Sequence, residues 1–235
     1  MSSIFRYNSN MNTKIKKQYN NFSNIYSDNI DYDDISKYNF FKELPELMNK
    51  KVLDVGCGDG TVLKEINKKG AIIYGVEPSE EFINKAKELN PTGIIKEGVA
   101  ENIPFSGDMF DVVVSTWAIQ TCSDLPKALS ECARVLKKDG VFVLLTKHPM
   151  QQYFGKIREY GESVDYFQSK ISTLHIFNGK ITLKEPTHTF NEYFNGDFLN
   201  NFELLSFFEE KDFPASEQFH NGKYPTYFII KARKK

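Results

Sequence analysis

The stretch VLDVGCGDG at residues 52–60 decides the fold. It begins with a short apolar run, which is typical of a buried parallel strand, and it ends in glycines at alternate positions, Gly56, Gly58 and Gly60. Glycine at such a turn lets the backbone come close to a ligand and exposes amide N–H groups at the start of the next helix, which suits a carboxylate or a phosphate. Dinucleotide-binding proteins space their glycines as G-x-G-x-x-G, so the alternate spacing makes pyrophosphate the less favoured ligand.

Strand and helix patterns alternate on the C-terminal side of this turn. Further short apolar runs predict buried strands at residues 71–76, 94–96, 110–115 and 141–146. Apolar residues at helical spacing predict helices at residues 61–69, 79–89 and 123–140. This alternation predicts a parallel sheet that is covered by helices on both faces.

The pattern changes after the fifth predicted strand. Residues 149–187 are polar and rich in aromatic side chains, and the dipeptide Asn178-Gly179 within them is a two-residue hairpin signal. We interpret this stretch as a cap inserted over the sheet. The chain then shows one helical and two extended patterns, at residues 189–200, 202–208 and 226–232. No helical pattern separates the last two, which predicts an antiparallel final pair of strands.

Two carboxylates accompany the glycine turn. Glu77 stands at the end of the second predicted strand, 17 residues beyond Gly60. A carboxylate at that position can accept hydrogen bonds from both hydroxyls of a ribose. Asp54 lies in the first strand just before the turn, where it can order the loop or receive an ammonium group through water. The turn and the two acids together predict a ligand with a ribose.

Composition excludes several classes of function. The net charge of -1 gives no basic face for nucleic acid, so we expect no nucleic-acid partner. Cys57, Cys122 and Cys132 lack the paired spacing of metal ligands, so no metal site is expected. An odd number of cysteines also argues against a disulfide scaffold and favours a cytoplasmic protein. No apolar run approaches the ~20 residues that span a bilayer, so no membrane partner is expected.

Four segments share the order and content of one known family. They are VLDVGCGDG at 52–60, YGVEPS at 74–79, EGVAENIPFSGDMFDVVVS at 97–115 and ALSECARVLKKDGVFVLL at 128–145. Together they resemble the class I methyltransferases of the type 11 kind. The resemblance implies an α/β fold with a Rossmann-like, doubly wound sheet of seven strands, mostly parallel with an antiparallel last strand, and a lid inserted after strand 5. It also implies an enzyme that uses S-adenosyl-L-methionine.

The resemblance further implies a set of cofactor contacts. It places Asp54, Gly56 and Gly58 near the methionine part of the cofactor, Glu77 on the ribose, and residues 100–101 beside the adenine. The N-terminal segment with its aromatic residues resembles the N-terminal helices that close over the cofactor in such enzymes. The predicted cofactor-binding residues are Tyr19, Asp54, Gly56, Gly58, Glu77, Pro78, Ala100, Glu101 and Ser115.

Two positions depart from the family pattern. Family members usually carry aspartate where this chain has Val99, and that carboxylate receives the adenine amino group. Glu101 or a backbone carbonyl is the predicted substitute. Many members carry histidine where this chain has Gln120, in the loop that faces the transferable methyl group.

The domain plan follows from these assignments. Residues 1–48 are predicted to be N-terminal helices that cover the cofactor, residues 49–148 and 188–235 the methyltransferase domain, and residues 149–187 the lid that binds substrate. Predicted substrate contacts are Trp117, Gln120 and Tyr166. Histidine is the usual general base near neutral pH. His148 and His188 are the predicted catalytic residues, because ligands of doubly wound folds bind at the carboxyl ends of the strands.

The leading hypothesis is methyl transfer by SN2 attack onto a small-molecule acceptor, a metabolite or natural product. A methyltransferase acting on tRNA or protein is an alternative, which the missing basic patch and the missing Asn-Pro-Pro-Tyr type of motif disfavour. A non-catalytic S-adenosylmethionine-binding partner protein is another, because fold alone does not establish turnover. A nicotinamide oxidoreductase is disfavoured by the glycine spacing.

Overall fold

The computed structural model describes residues 16–23, 25, 35–176, 180–211 and 224–235. Within these ranges one sheet has seven strands in the order β3-β2-β1-β4-β5-β9-β8. Its strands are β1 Lys51–Val55, β2 Ile72–Glu77, β3 Ile94–Glu97, β4 Phe110–Thr116, β5 Leu136–Lys147, β8 Phe202–Glu210 and β9 Tyr227–Lys234. Strand β9 runs antiparallel to both of its neighbours, and the other pairs are parallel. The predicted seven-stranded, mostly parallel sheet with an antiparallel last strand is confirmed.

Helices cover both faces of this sheet. The described helices are α1 over residues 16–23, α2 Ile35–Glu43, α3 Thr61–Lys68, α4 Glu80–Leu89, α5 Leu125–Val135, α6 Pro149–Tyr160, α7 Phe190–Tyr193 and α8 Gly196–Asn201. One buried core lies between the sheet and α5, α7 and α8, and a second lies between the sheet and α2, α3 and α4. Residues 1–15 and 26–34 of the predicted N-terminal segment lie outside the described ranges. None of the described helices combines the length and the apolar character that crossing a bilayer requires.

Local capping explains where several helices begin. The Ser79 hydroxyl accepts a hydrogen bond from the Phe82 N–H at the start of α4, as its position before an apolar helical pattern predicts. The Asp124 carboxylate caps α5 by accepting from the Lys127 N–H. Both helices therefore begin at the residues that link them to strands β2 and β4.

Two predicted helices end differently in the structure. Helix α5 ends at Val135, because Leu136 is already extended (φ -70°, ψ 143°) and begins β5, whereas the pattern predicted a helix up to Gly140. The single helix predicted over 189–200 is divided into α7 and α8. Asn195 is extended and its side chain accepts from the Phe198 N–H, so it caps a new helix instead of continuing the first.

The insertion after β5 consists of α6 and a separate hairpin. Strands β6 Ile171–Ile176 and β7 Ile181–Pro186 pair antiparallel, with Ile176 opposite Ile181. This pairing is the one that the hairpin signal predicts, although the turn residues Asn178 and Gly179 lie outside the described part of the chain. Strand β7 packs against the short 3-10 turn Ile119–Thr121 that follows β4. The insertion therefore lies at the carboxyl end of the sheet.

Candidate active site

The glycine turn between β1 and α3 forms one wall of a cavity. Gly56, Gly58 and Gly60 have φ angles of 77°, 52° and 82°, which side-chain-bearing residues rarely adopt. A Cβ atom on Gly56 would lie 2.2 Å from the Ala118 Cβ, so the loop after β4 packs directly on the turn. A Cβ atom on Gly58 would meet nothing within 4 Å. At Gly58 the backbone therefore faces open space, where a ligand can approach it.

The Glu77 carboxylate is held beside this turn by backbone donors. The Gly58 N–H donates to Oε2 at 3.1 Å, and the Ser79 N–H donates to Oε1 at 3.0 Å. Burial raises the pKa of Glu77 from 4.5 to about 7, although these two hydrogen bonds lower it. Each carboxylate oxygen has a second acceptor position besides the backbone bond. The side chain is thus fixed in place and can still accept two ligand hydroxyls.

Asp54 is a buried acid beneath the turn. Its side chain is 1% exposed, and among the described residues neither of its carboxylate oxygens has a hydrogen-bond partner. Burial is the main cause that raises the pKa of Asp54 to about 8, and the negative charge of Glu77 is the second cause. An unpaired buried carboxylate is costly as an anion. A cationic ligand group placed next to it would satisfy its oxygens and favour the charged form, so the site fits an ammonium group.

A cavity at the carboxyl ends of β1, β2 and β4 joins these features. This is the edge at which doubly wound folds bind ligands. Eight of the predicted site residues line it, namely Tyr19, Gly56, Gly58, Glu77, Pro78, Ala100, Glu101 and Trp117. The cavity combines a glycine turn, a carboxylate that can accept hydrogen bonds, and apolar side walls. These features match the polar and apolar parts of S-adenosylmethionine, so the residues present fit the cofactor that the resemblance implies.

Other predicted site residues lie away from the cavity wall. The Ser115 hydroxyl donates to the Val55 carbonyl at 2.7 Å and so ties β4 to β1. Gln120 is 4% exposed and its amide donates to the Trp117 carbonyl. The Tyr166 hydroxyl accepts from the Phe190 N–H at 3.1 Å and thereby joins the insertion to α7.

Val99 and Glu101 line the side of the cavity at which the resemblance implies the adenine. One Glu101 oxygen, Oε1, accepts from the Ser123 N–H at 2.9 Å, the Ser123 hydroxyl at 3.0 Å and the Asp124 N–H at 3.4 Å. Because Oε1 is occupied in this way, Glu101 holds the segment that precedes α5. Its prediction as the substitute adenine acceptor stays a prediction.

The two predicted catalytic histidines are buried and already hydrogen-bonded. His148 Nδ1 accepts from the Met150 N–H at 3.0 Å and caps α6, while Nε2 lies 3.1 Å from Glu209 Oε2. Burial lowers the pKa of His148 and the Glu209 carboxylate opposes that shift. His188 Nδ1 lies 3.2 Å from Glu192 Oε1, and Nε2 lies 3.1 Å from the Cys122 carbonyl oxygen. Cys122 lines the cavity, so His188 reaches the cavity wall through a backbone carbonyl. The role of both as general bases stays a prediction.

Sequence reasoning missed the contacts that fasten the insertion to the sheet. Lys147 at the end of β5 forms a buried ion pair with Glu185 of β7. The Gln152 amide of α6 donates to the Pro186 carbonyl at 3.2 Å. A charged residue directly after an apolar strand was the available signal at Lys147, but its partner is 38 residues away in sequence.

Helix α1 also contacts the insertion, which the sequence did not predict. The Gln18 side chain hydrogen-bonds the backbone of Lys184 in β7 through both its amide nitrogen and its oxygen. The next residue, Tyr19, lines the cavity and packs at 6.3 Å from Phe82 between ring centroids. The same short helix thus touches the cavity and the hairpin.

Comparison with known proteins assigns this arrangement to a family. A family model described as a methyltransferase domain matches residues 53–144. The putative methyltransferase YrhH of Bacillus subtilis is 32% identical over 122 residues, which are 46% of this chain and 68% of that protein. The ubiquinone/menaquinone biosynthesis C-methyltransferase UbiE of Campylobacter jejuni is 33% identical over 120 residues, 47% of this chain and 51% of that protein. This chain therefore spans about half the length of the Campylobacter relative.

One solved structure covers more of the chain. A putative S-adenosylmethionine-dependent methyltransferase from Listeria monocytogenes superposes with a TM-score of 0.69 over 85% of this chain and 96% of that one, at 24% identity. At this identity the likeness establishes a common fold.

Proposed function

The chain belongs to the class I methyltransferases of the type 11 family, whose cofactor is S-adenosylmethionine, and from this premise we propose that it methylates a small-molecule acceptor. The observation that supports this most directly is the cavity at the strand ends, in whose wall the Glu77 carboxylate accepts a hydrogen bond from the glycine turn. Next to this wall, in the strand that leads into the turn, lies the buried Asp54 carboxylate, whose oxygens have no hydrogen-bond partner among the described residues.

Each part of the cavity has a role in this proposal. Glu77 accepts hydrogen bonds from the ribose hydroxyls, and Asp54 attracts the ammonium group of the methionine part. The open face of the Gly58 backbone admits the carboxylate of that part. Ala100 lies beside the adenine, and Val99 lines the same side of the cavity. The bound cofactor supplies a sulfonium-activated methyl group.

The protein contributes mainly by positioning and by excluding water. With an activated donor, methyl transfer needs an acceptor atom aligned with the bond that breaks. Tyr19 of α1 and Trp117 of the loop after β4 are the aromatic walls that limit access to the cavity. We assign the removal of an acceptor proton, where one is needed, to His188, with His148 as the second candidate, because His188 lies directly behind the cavity wall. In the structure His188 Nε2 donates to the Cys122 carbonyl, so the ring must release this bond before that nitrogen can accept a proton.

The insertion supports a small acceptor. Strand β7 packs on the turn after β4 and is fastened to β5 through Glu185 and Lys147, so it narrows the carboxyl edge of the sheet. A nucleic-acid substrate needs a basic groove for its phosphates, whereas the net charge of the chain is -1. The Campylobacter relative is named as a C-methyltransferase of ubiquinone and menaquinone biosynthesis, which also agrees with an acceptor that is not a polymer. We include Tyr166 of the insertion in the acceptor pocket.

A cytoplasmic location belongs to the same proposal. Cys57, Cys122 and Cys132 are all buried and free, which suits a reducing compartment.

Two measurements test the proposal. Calorimetry with S-adenosylmethionine, S-adenosylhomocysteine and NAD should show binding of the first two only, and Glu77→Ala should weaken it by about 1.5 to 3 kcal/mol, the loss expected for hydrogen bonds to a charged group. Purified protein incubated with methyl-labelled cofactor and a metabolite extract should then label a small molecule. Binding without any labelled product would favour the non-catalytic alternative, and tighter binding of NAD would contradict the proposed function.

A further inference from the structure

Trp117 adopts a backbone conformation that a tryptophan rarely takes. Its φ angle is 54°, in the left-handed region. The other non-glycine residues with positive φ among those described are Asn49, Asp108 and Asp139, and asparagine and aspartate tolerate this region far better than aromatic residues do. Such strain persists only where the surrounding structure enforces it. Something must therefore hold Trp117 in place.

A directional chain of buried hydrogen bonds ends on the Trp117 carbonyl. The Tyr193 hydroxyl and the Thr146 Oγ1 lie 3.1 Å apart, and Thr146 Oγ1 donates to Gln120 Oε1 at 3.0 Å. Gln120 Nε2 then donates to the Trp117 carbonyl oxygen at 2.7 Å. Because the Thr146 proton is used on Gln120, Tyr193 must be the donor at the start of the chain. Burial raises the pKa of the Tyr193 hydroxyl, which keeps it protonated as that donor.

These hydrogen bonds and its burial hold the Gln120 side chain in one conformation. Gln120 is 4% exposed, and Thr146 and Tyr193 are fully buried. The Trp117 carbonyl only accepts, so it fixes the amide nitrogen of Gln120 toward Trp117 and leaves the amide oxygen facing the Thr146 hydroxyl. Trp117 itself lines the cofactor cavity, and its neighbour Ala118 is the residue that packs on Gly56.

We propose that Gln120 is a positioning residue, which holds Trp117 in its left-handed conformation and thereby shapes the wall of the cofactor cavity. Gln120 acts through the tryptophan and does not itself touch the acceptor. This inference rests on the proposed cofactor site.

The protein contains its own spectroscopic probe, because Trp117 is its only tryptophan. Intrinsic tryptophan fluorescence therefore reports on the cavity wall alone, in the free protein and without an acceptor. The main variant is Gln120→Met, which keeps the side-chain length and removes the amide. Thr146→Val removes the preceding donor at almost constant shape and carries the test if Gln120→Met does not fold. Gln120→His restores an N–H donor and serves as the conservative rescue.

Gln120→Met should shift the tryptophan emission maximum and increase quenching by acrylamide in the free protein. It should also weaken S-adenosylhomocysteine binding about 10-fold, as expected for one lost hydrogen bond near a binding wall. Thr146→Val should change both quantities in the same direction by less, and Gln120→His should return them toward the wild type. Val135→Ala, which opens a cavity at the opposite edge of the sheet, is the control for lost stability alone and should leave emission and affinity unchanged.

Wild-type emission and affinity in Gln120→Met, or equal changes in Val135→Ala, would overturn the positioning role. If calorimetry shows S-adenosylhomocysteine binding while the wild-type emission does not respond to it, Trp117 is not in the wall and the inference is wrong, although the proposed function stands. Absence of binding by calorimetry would instead overturn the proposed cofactor site, and the emission of the free variants would still decide whether Gln120 holds Trp117.

Discussion

The side-chain amide of Gln18 pairs with the backbone of Lys184 as a neighbouring strand would. Its nitrogen donates to the Lys184 carbonyl at 3.1 Å, and its oxygen accepts from the Lys184 N–H at 2.8 Å. Asn20, two residues further along α1, accepts a hydrogen bond from the Ser79 hydroxyl at the start of α4. Helix α1 therefore bridges the hairpin of the insertion and the β2–α4 turn beside the cavity.

Gln18→Ala should uncouple the insertion from the cofactor site. The Lys184 amide should exchange its hydrogen faster, and S-adenosylhomocysteine affinity should fall about 3- to 10-fold because two hydrogen bonds that order α1 are lost. Hydrogen exchange and calorimetry measure the two effects. Lys17→Ala changes an exposed residue of the same helix and is the matched control. Unchanged exchange at Lys184 would show that the pair does not hold the hairpin.

Asp54 gives a pH dependence with a definite sign. Its pKa is about 8 in the folded protein against an ordinary value of 3.8, and that of Glu77 is raised in the same direction. Between pH 4 and 8 these carboxyl groups are ionised in the unfolded chain, whereas Asp54 in the folded protein keeps its proton. The free energy of unfolding of the ligand-free protein should therefore fall as pH rises through this range. Thermal unfolding from pH 5 to 8.5 should show the decline, and Asp54→Asn should flatten it.

The same shift predicts proton release when the cofactor binds. An ammonium group beside Asp54 favours the carboxylate, so affinity for S-adenosylhomocysteine should rise between pH 6 and 8. Calorimetry in buffers of different ionisation enthalpy measures the released proton directly. Asp54→Asn should bind more weakly and release less. A pH-independent affinity in the wild type would mean that Asp54 does not receive the ammonium group.

Val99 is the position where this chain departs from the family pattern, and it lines the cavity. Val99→Asp should tighten S-adenosylmethionine binding by about 1 kcal/mol, because the new carboxylate can accept the adenine amino group at a position where valine cannot. Val99→Asn is the control for size and polarity. Weaker binding by the aspartate variant would show that Val99 packs against the adenine and that this pocket is built differently.

The parts of the fold that the sequence predicted are those that depend on local pattern. Strands β1, β2 and β4 and the second half of β5 are largely buried and therefore have continuous apolar sequences, whereas β3 lies at the edge of the sheet and is mostly exposed. Residues at or just beyond the carboxyl ends of β2 and β4, such as Glu77 and Trp117, line the cavity, as their positions in the sequence predict. The Gln18 and Lys184 pair joins residues 166 positions apart, and nothing in either local pattern specifies the other. Leu136 could be read as the end of a helical stripe because an apolar residue serves equally well there and at the start of β5.

Lys147 and Glu185 form a buried ion pair, so removing either charge alone should lower the free energy of unfolding. Glu185→Gln or Lys147→Met alone should destabilise the protein by about 3 to 5 kcal/mol, since each leaves a charge buried without its partner. The double variant should recover much of that loss. Chemical denaturation of the two single variants and the double variant gives the coupling energy. Additive losses would indicate that the two residues act independently.

The predicted general bases can be separated because their hydrogen bonds lead to different places. His148 caps α6 and bonds Glu209, whose side chain is 50% exposed on β8, whereas His188 bonds the Cys122 carbonyl in the cavity wall. His148→Ala should therefore mainly lower the unfolding free energy, by about 0.5 to 2 kcal/mol for a lost helix cap, and His148→Asn should restore most of it.

His188→Ala should lower turnover about 100-fold while changing S-adenosylhomocysteine affinity by less than 3-fold, as expected for the loss of a general base. Release of S-adenosylhomocysteine in the presence of the metabolite extract measures turnover, and calorimetry measures affinity. Equal losses of turnover and affinity would mean that His188 holds the cofactor wall through Cys122, and wild-type turnover would leave it with a structural role only.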